Sequence, residues 1–170
     1  FGYDRGLNWC VWSIFGQKGV ILYQYKAKVR RVIDGDSIVC DIDLGFGIIL
    51  KERNVRLFGI DTCEIRSKNL AEKQFGKLAK EFVRRQLPRG LEVILSTHLD
   101  KNDKFGRILA EVIMPSGDAL TNRIIDKRWG VRYFGRSKKE IREAHRKNWL
   151  YHRDRGDLIN PNMSDIFTDG

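Results

Sequence analysis

From Tyr23 onward apolar and polar residues take turns. Tyr25, Ala27 and Val29 alternate with Lys26, Lys28 and Arg30, the period of two that predicts a half-exposed strand. Arg31-Val32-Ile33 then runs into Asp34-Gly35-Asp36-Ser37, and an Asp-Gly pair between alternating runs signals a hairpin. Ile38, Cys40, Ile42 and Leu44 alternate with Val39, Asp41 and Asp43 as a second strand. Gly45 and Gly47 mark a turn. Ile48 to Ile60 supplies a third strand, bent near the polar stretch Lys51 to Asn54, so the three strands form a meander.

The period changes at Ser67. Leu70, Phe75, Leu78, Ala79, Phe82 and Val83 share one face at helical spacing, which predicts a helix over 67–86 stopped by Pro88-Arg89-Gly90. Gly76 is its one weak point. Leu91, Val93 and Leu95 mark a fourth strand, Asp100 to Gly106 a polar turn, and Ile108, Ala110, Val112 and Met114 a fifth strand. After the turn Pro115-Ser116-Gly117, Asp118 to Lys127 reads as a short helix with Leu120, Ile124 and Ile125 inward. Ser137-Lys138-Lys139-Glu140 is a capping box opening a helix to about Trp149. Strands followed by a helix, a hairpin and more helices indicate an α+β fold, a small, partly closed five-stranded antiparallel barrel with about three helices outside. Residues 23–151 form that domain, 1–22 an N-terminal extension of uncertain status, and 152–170 a loose polar tail.

Composition narrows the partners. The 170 residues suffice for one domain with its own core. Their 32 basic against 22 acidic side chains give +10, which favours a polyanion: nucleic acid first, an acidic membrane surface second. Cys10, Cys40 and Cys63 suit neither a disulfide framework nor a CxxC metal site. No run approaches the ~18–20 apolar residues of a membrane span. Leu7 to Tyr23 has two apolar patches split by Gln17, Lys18 and Gly19, a poor signal peptide. The compartment stays open, and a monomer without a stable protein partner is expected.

Chemistry concentrates at Arg56 to Glu64, R-L-F-G-I-D-T-C-E. A guanidinium inside an apolar strand needs a wet pocket or an anion. Asp61, Thr62 and Glu64 follow at once, the way carboxylates gather around a cation. Alone, the stretch reads equally well as a strand ending in a polar loop, and Asp34 and Asp36 as turn formers. Two further stretches supply the missing parts: D-G-D-S at Asp34 to Ser37 and D-K-F-G-R at Asp103 to Arg107.

Those three motifs, in that order and at those separations, resemble the thermonuclease family, the staphylococcal nuclease-like domains. The resemblance covers about Tyr23 to Trp149 and implies an OB-fold barrel with helices outside. It implies calcium (Ca2+) held by Asp36, Asp61 and the carbonyl of Thr62, with Asp34 in the outer shell. Glu64 is similar to the carboxylate that positions or deprotonates the attacking water, and Arg56 and Arg107 to the two arginines that grip the phosphate. Tyr133 lies near a substrate-contacting tyrosine of the family, and Lys104 is a candidate substrate contact. Cys63 departs from the pattern, standing where a proline usually follows Asp-Thr. The implied reaction is cleavage of DNA and RNA to 3′-phosphate and 5′-hydroxyl ends. The alternatives are a nuclease-like domain that only binds nucleic acid and a basic OB-fold module that binds another partner. His98, His145 and His152 lack metal spacing and are read as structural.

Overall fold

A computed structural model of the chain describes residues 23–98, 106–135 and 137–158. The extension at 1–22, Lys104 in its polar turn, and most of the expected tail lie outside the described residues. In chain order come β1 (Tyr23–Asp34), β2 (Ser37–Asp43), β3 (Ile49–Leu57), β4 (Ile60–Asp61) and α1 (Leu70–Gln86). β5 (Glu92–His98), β6 (Ile108–Ile113), α2 (Leu120–Asp126), β7 (Val131–Arg132) and α3 (Lys138–Asp154) follow.

Five strands close into a barrel in the order β1-β2-β3-β6-β5, and β4 pairs with β7 in a small second sheet. Every seam of the barrel is antiparallel except β3–β6, where Val55, Arg56 and Leu57 run parallel to Ile108, Leu109 and Ala110. An all-antiparallel barrel was the expectation. Parity forbids it, because a closed ring with an odd number of strands cannot reverse direction at every seam.

Inward positions of the alternating runs fill the barrel: Val29, Ile38, Cys40, Ile42, Val55, Leu57, Val93, Leu95, Ala110 and Val112. Val83 of α1, Leu87 at its C-cap, and Leu120 and Ile124 of α2 join the same cluster and cover it. The bend expected near Lys51 to Asn54 centres on Glu52, whose φ is +51° opposite a register shift in β2. Asp41 braces it, accepting from Arg30 Nε at 2.8 Å and from the Glu52 amide at 2.9 Å.

A second cluster holds Cys63, Ala71, Phe75, Trp149 and Leu158 between α1 and α3. The helix expected to end near Trp149 continues to Asp154, and His152 and Leu158 are buried rather than part of a loose tail. His152 is polar by type, yet its ring lies on the helix's buried stripe, stacked 3.8 Å from Trp129. Its two nitrogens face Asp157 Oδ2 and the Lys127 carbonyl. That satisfied burial explains why its polarity misled.

Candidate active site

The site is assembled by strand register. Ser37 pairs with Arg56, and the Leu57 amide donates to the Asp36 carbonyl at 2.8 Å, so the β1–β2 turn lies against the end of β3. Val55 and Leu57 point into the core, and the period of two therefore turns Arg56 outward. There its Nη1 meets Asp36 Oδ2 at 2.6 Å. Its Nη2 reaches Asp61 Oδ1 and the Ile60 carbonyl, each at 3.4 Å. Partial burial works against the Arg56 charge, but Asp36 and Asp61 outweigh it and hold its pKa above the ordinary value.

The loop after β4 completes the cluster. A left-handed Gly59, φ +72°, separates β3 from β4. Asp61 then pairs with Val131 of β7. Thr62 is buried, and its amide donates to Asp36 Oδ2 at 3.4 Å. Behind it sits Gly35: a Cβ there would meet Thr62 Oγ1 at 2.8 Å, so only glycine lets the Asp34–Asp36 turn approach this closely. Glu64 is exposed. Burial pushes the Asp34 carboxyl up to about 6, the Gly35 amide pulls back, and the charges of Asp36 and Glu64 push further. Asp34, Asp36 and Glu64 thus lie near enough to feel one another.

Arg107 stands one residue before β6. Leu109 is the partner of Arg56, so the period of two returns Arg107 to the Arg56 face of the barrel. Tyr133 is 42% exposed and its amide donates to the Gly59 carbonyl at 2.9 Å, which puts it at the rim.

The sequence reading missed three contacts. His145 of α3, 4% exposed, places Nε2 3.0 Å from Asp61 Oδ2. A signal existed: Ile141, His145 and Trp149 repeat every four residues along the buried stripe of α3, and a buried histidine needs a partner. The partner is 84 residues away and was not readable. Gly76 is the second contact, since a Cβ there would stand 2.4 Å from the Cys63 carbonyl. Gly130 is the third; a Cβ would stand 3.0 Å from the Asp61 carbonyl.

The donor set fits a hard cation. Asp34, Asp36, Asp61, Glu64 and the Thr62 carbonyl offer only oxygen, the choice of calcium rather than of softer metals. Burial, and after it the charges of Asp36 and Glu64, holds the Asp34 carboxyl up, and added positive charge would favour its ionised form. Among the described residues, the buried side-chain polar atoms lacking a hydrogen-bond partner are Thr62 Oγ1 and His145 Nδ1, both here. No three acidic, histidine or cysteine side chains among the described residues are already drawn into a cage, and Arg56 is the cation now bridging Asp36 and Asp61.

Residues 54–151 match the family model described as staphylococcal nuclease homologue. The thermonuclease of Staphylococcus hyicus is 39% identical over 85 residues, 50% of this chain and 46% of that protein. That of Staphylococcus intermedius is 37% identical over 94 residues, 55% of this chain and 51% of its own. The endonuclease YhcR of Bacillus subtilis is 27% identical over 116 residues, 65% of this chain and 9% of that protein. The chain thus spans about half the length of the two thermonucleases it matches.

Proposed function

The chain belongs to the staphylococcal nuclease family, and from that premise we propose that it is a calcium-dependent phosphodiesterase cutting DNA and RNA. The observation that carries the reading is Arg56 bridging Asp36 and Asp61 beside Glu64. A strand arginine paired to acids at a protein's surface is common. One bridging two carboxylates, one of which shares its turn with Asp34, itself under the charges of Asp36 and Glu64, in a chain of net charge +10, is a focused site for phosphate and cation together.

Arg56 and Arg107 present planar forks to the non-bridging oxygens of the scissile phosphate, a bidentate match that lysine lacks. Calcium held by Asp36, Asp61 and the Thr62 carbonyl, with Asp34 through water, would neutralise charge developing on the phosphate. Glu64, exposed and adjacent, orients a water or takes its proton as that water attacks phosphorus. The P–O5′ bond breaks, leaving a 3′-phosphate and a 5′-hydroxyl. Tyr133 at the rim contacts the substrate, and Lys104 is a second candidate for such a contact.

The test is release of acid-soluble nucleotides from DNA and RNA with calcium and with chelator, in the wild type, Asp36→Ala and Asp61→Ala. Calcium-dependent release that both variants abolish while remaining folded is expected. Nucleic-acid binding without cleavage in the wild type would make the chain a binding domain instead.

A further inference from the structure

We propose that His145 is a positioning residue for Asp61, fixing the carboxylate so that its other oxygen is presented toward Arg56 and the cation; this rests on the calcium reading above. The geometry comes from both ends. Nε2 of His145 lies 3.0 Å from Asp61 Oδ2, while Arg56 Nη2 lies 3.4 Å from Asp61 Oδ1. Asp61 is 31% exposed on a strand of two residues, and an untethered carboxylate there is free to rotate. Two partners on its two oxygens remove that rotation. A carboxylate only accepts, so Nε2 must donate, and in the neutral ring Nδ1 is then the bare acceptor.

Nδ1 is buried and has no hydrogen-bond partner among the described residues. For stability alone this is a poor choice: an unpaired buried polar atom costs about 1–3 kcal/mol, and leucine would fill the stripe without it. Nor does α3 depend on His145 for its position. Ser137 and Glu140 close a capping box at its start, Trp149 enters the second core, and Asn148 Nδ2 donates to the Gly130 carbonyl at 3.0 Å. A residue that costs stability where the helix is otherwise secured is one retained for its contact with Asp61.

The experiment compares calcium binding by calorimetry and thermal unfolding in the full chain, the His145→Leu variant and the His145→Gln variant. Loss of an outer hydrogen bond to a metal ligand typically weakens metal affinity ~10–100-fold. His145→Leu is therefore expected to bind calcium ~10–100-fold more weakly while unfolding at the wild-type temperature or above it. His145→Gln, whose amide can donate to the same oxygen, recovers most of the affinity. Should His145→Leu not fold, His145→Asn takes its place, since the shorter amide stops short of Asp61. Wild-type calcium affinity in the folded Leu or Asn variant overturns the positioning role. A wild type that takes up no calcium sinks the function proposed above and this role with it. Nitrogen-15 spectra of the histidine rings give a check independent of metal: His145 should carry its proton on Nε2, and an Nδ1–H ring would also overturn the proposal.

Discussion

Gly76→Ala is a substitution whose usual sign this fold reverses. In an exposed helix interior, glycine to alanine stabilises by about 1 kcal/mol. In α1 the new methyl would lie 2.4 Å from the Cys63 carbonyl oxygen and 3.0 Å from the Glu64 carbonyl carbon. Both are backbone atoms, with no rotamer to move out of the way. Restoring an ordinary contact of about 3.5 Å requires α1 or the loop to yield by about 1 Å. Overpacking costs about 1–3 kcal/mol, and against backbone atoms that cannot turn aside the upper part of that range, about 2–3 kcal/mol, applies; less the helical gain of about 1 kcal/mol, the net loss is roughly 1–2 kcal/mol. For a chain of this size that lowers the unfolding midpoint by about 2–8 °C. The more telling effect is on rate. The displaced loop carries Glu64, and a misplacement of about 1 Å in a reacting group can lower turnover ~100-fold. Thermal unfolding and initial rates on DNA, measured side by side, read both. A variant about 1 kcal/mol more stable than wild type with unchanged turnover would show that α1 and the 61–64 loop are not in contact.

Glu64→Gln keeps shape and substrate affinity but removes the basic carboxylate, so turnover should fall ~100–10,000-fold with the dissociation constant and salt slope for DNA unchanged; an undiminished rate places the base elsewhere. Arg56→Lys and Arg107→Lys each retain charge without the fork and should lose ~10–100-fold in kcat/KM, whereas an effect no larger than that of lysine-to-alanine changes at remote positions would reduce them to surface charge. Asp34 titrates near 3.8 when unfolded and about 6 when folded. The folded state therefore holds its proton more tightly, an advantage complete below about pH 4 and lost as pH rises through 6. Asp34→Asn should accordingly raise the unfolding temperature of calcium-free protein above pH 6 and leave it nearly unchanged below pH 4. A pH-independent difference between the two would remove the buried carboxylate as the cause.

Local chemistry made much of this legible beforehand. The alternation at Tyr25, Ala27 and Val29 is a strand because one side must be buried and the other wetted, and that requirement acts within a few residues. The capping box at Ser137 and Glu140 is local in the same way, as is the Asp-Gly turn that carries Asp34 and Asp36. What stayed hidden depends on which distant segments meet. The parallel seam joining Val55 to Ile108 follows from closing five strands, a property of the whole ring. His145 reaches Asp61 only because α3 docks beside the β4–β7 sheet. Gly76 looked like a defect in a helix until the Cys63 carbonyl was found against it.

Those hidden contacts answer the question raised by Cys63. A proline at that position would restrict φ in the loop that carries the candidate ligands, and its absence suggests a looser site. Packing supplies the restriction instead. The 61–64 loop is approached from three directions at glycines: Gly35 against Thr62, Gly130 against the Asp61 carbonyl, and Gly76 against the Cys63 carbonyl. Cys63 itself is 2% exposed within the α1–α3 core, and burial pushes its thiol well above the ordinary range, so it serves as a small apolar plug rather than a nucleophile. A proline ring would limit one dihedral angle. The glycine contacts and the buried thiol hold successive residues of the loop between the barrel, α1 and the β7 segment, and His145 ties α3 to the same place. The loop is thus ordered by contacts that reach from Gly76, close along the chain, to His145, 84 residues from Asp61, which is why a sequence read locally offers the candidate ligands but not what holds them still.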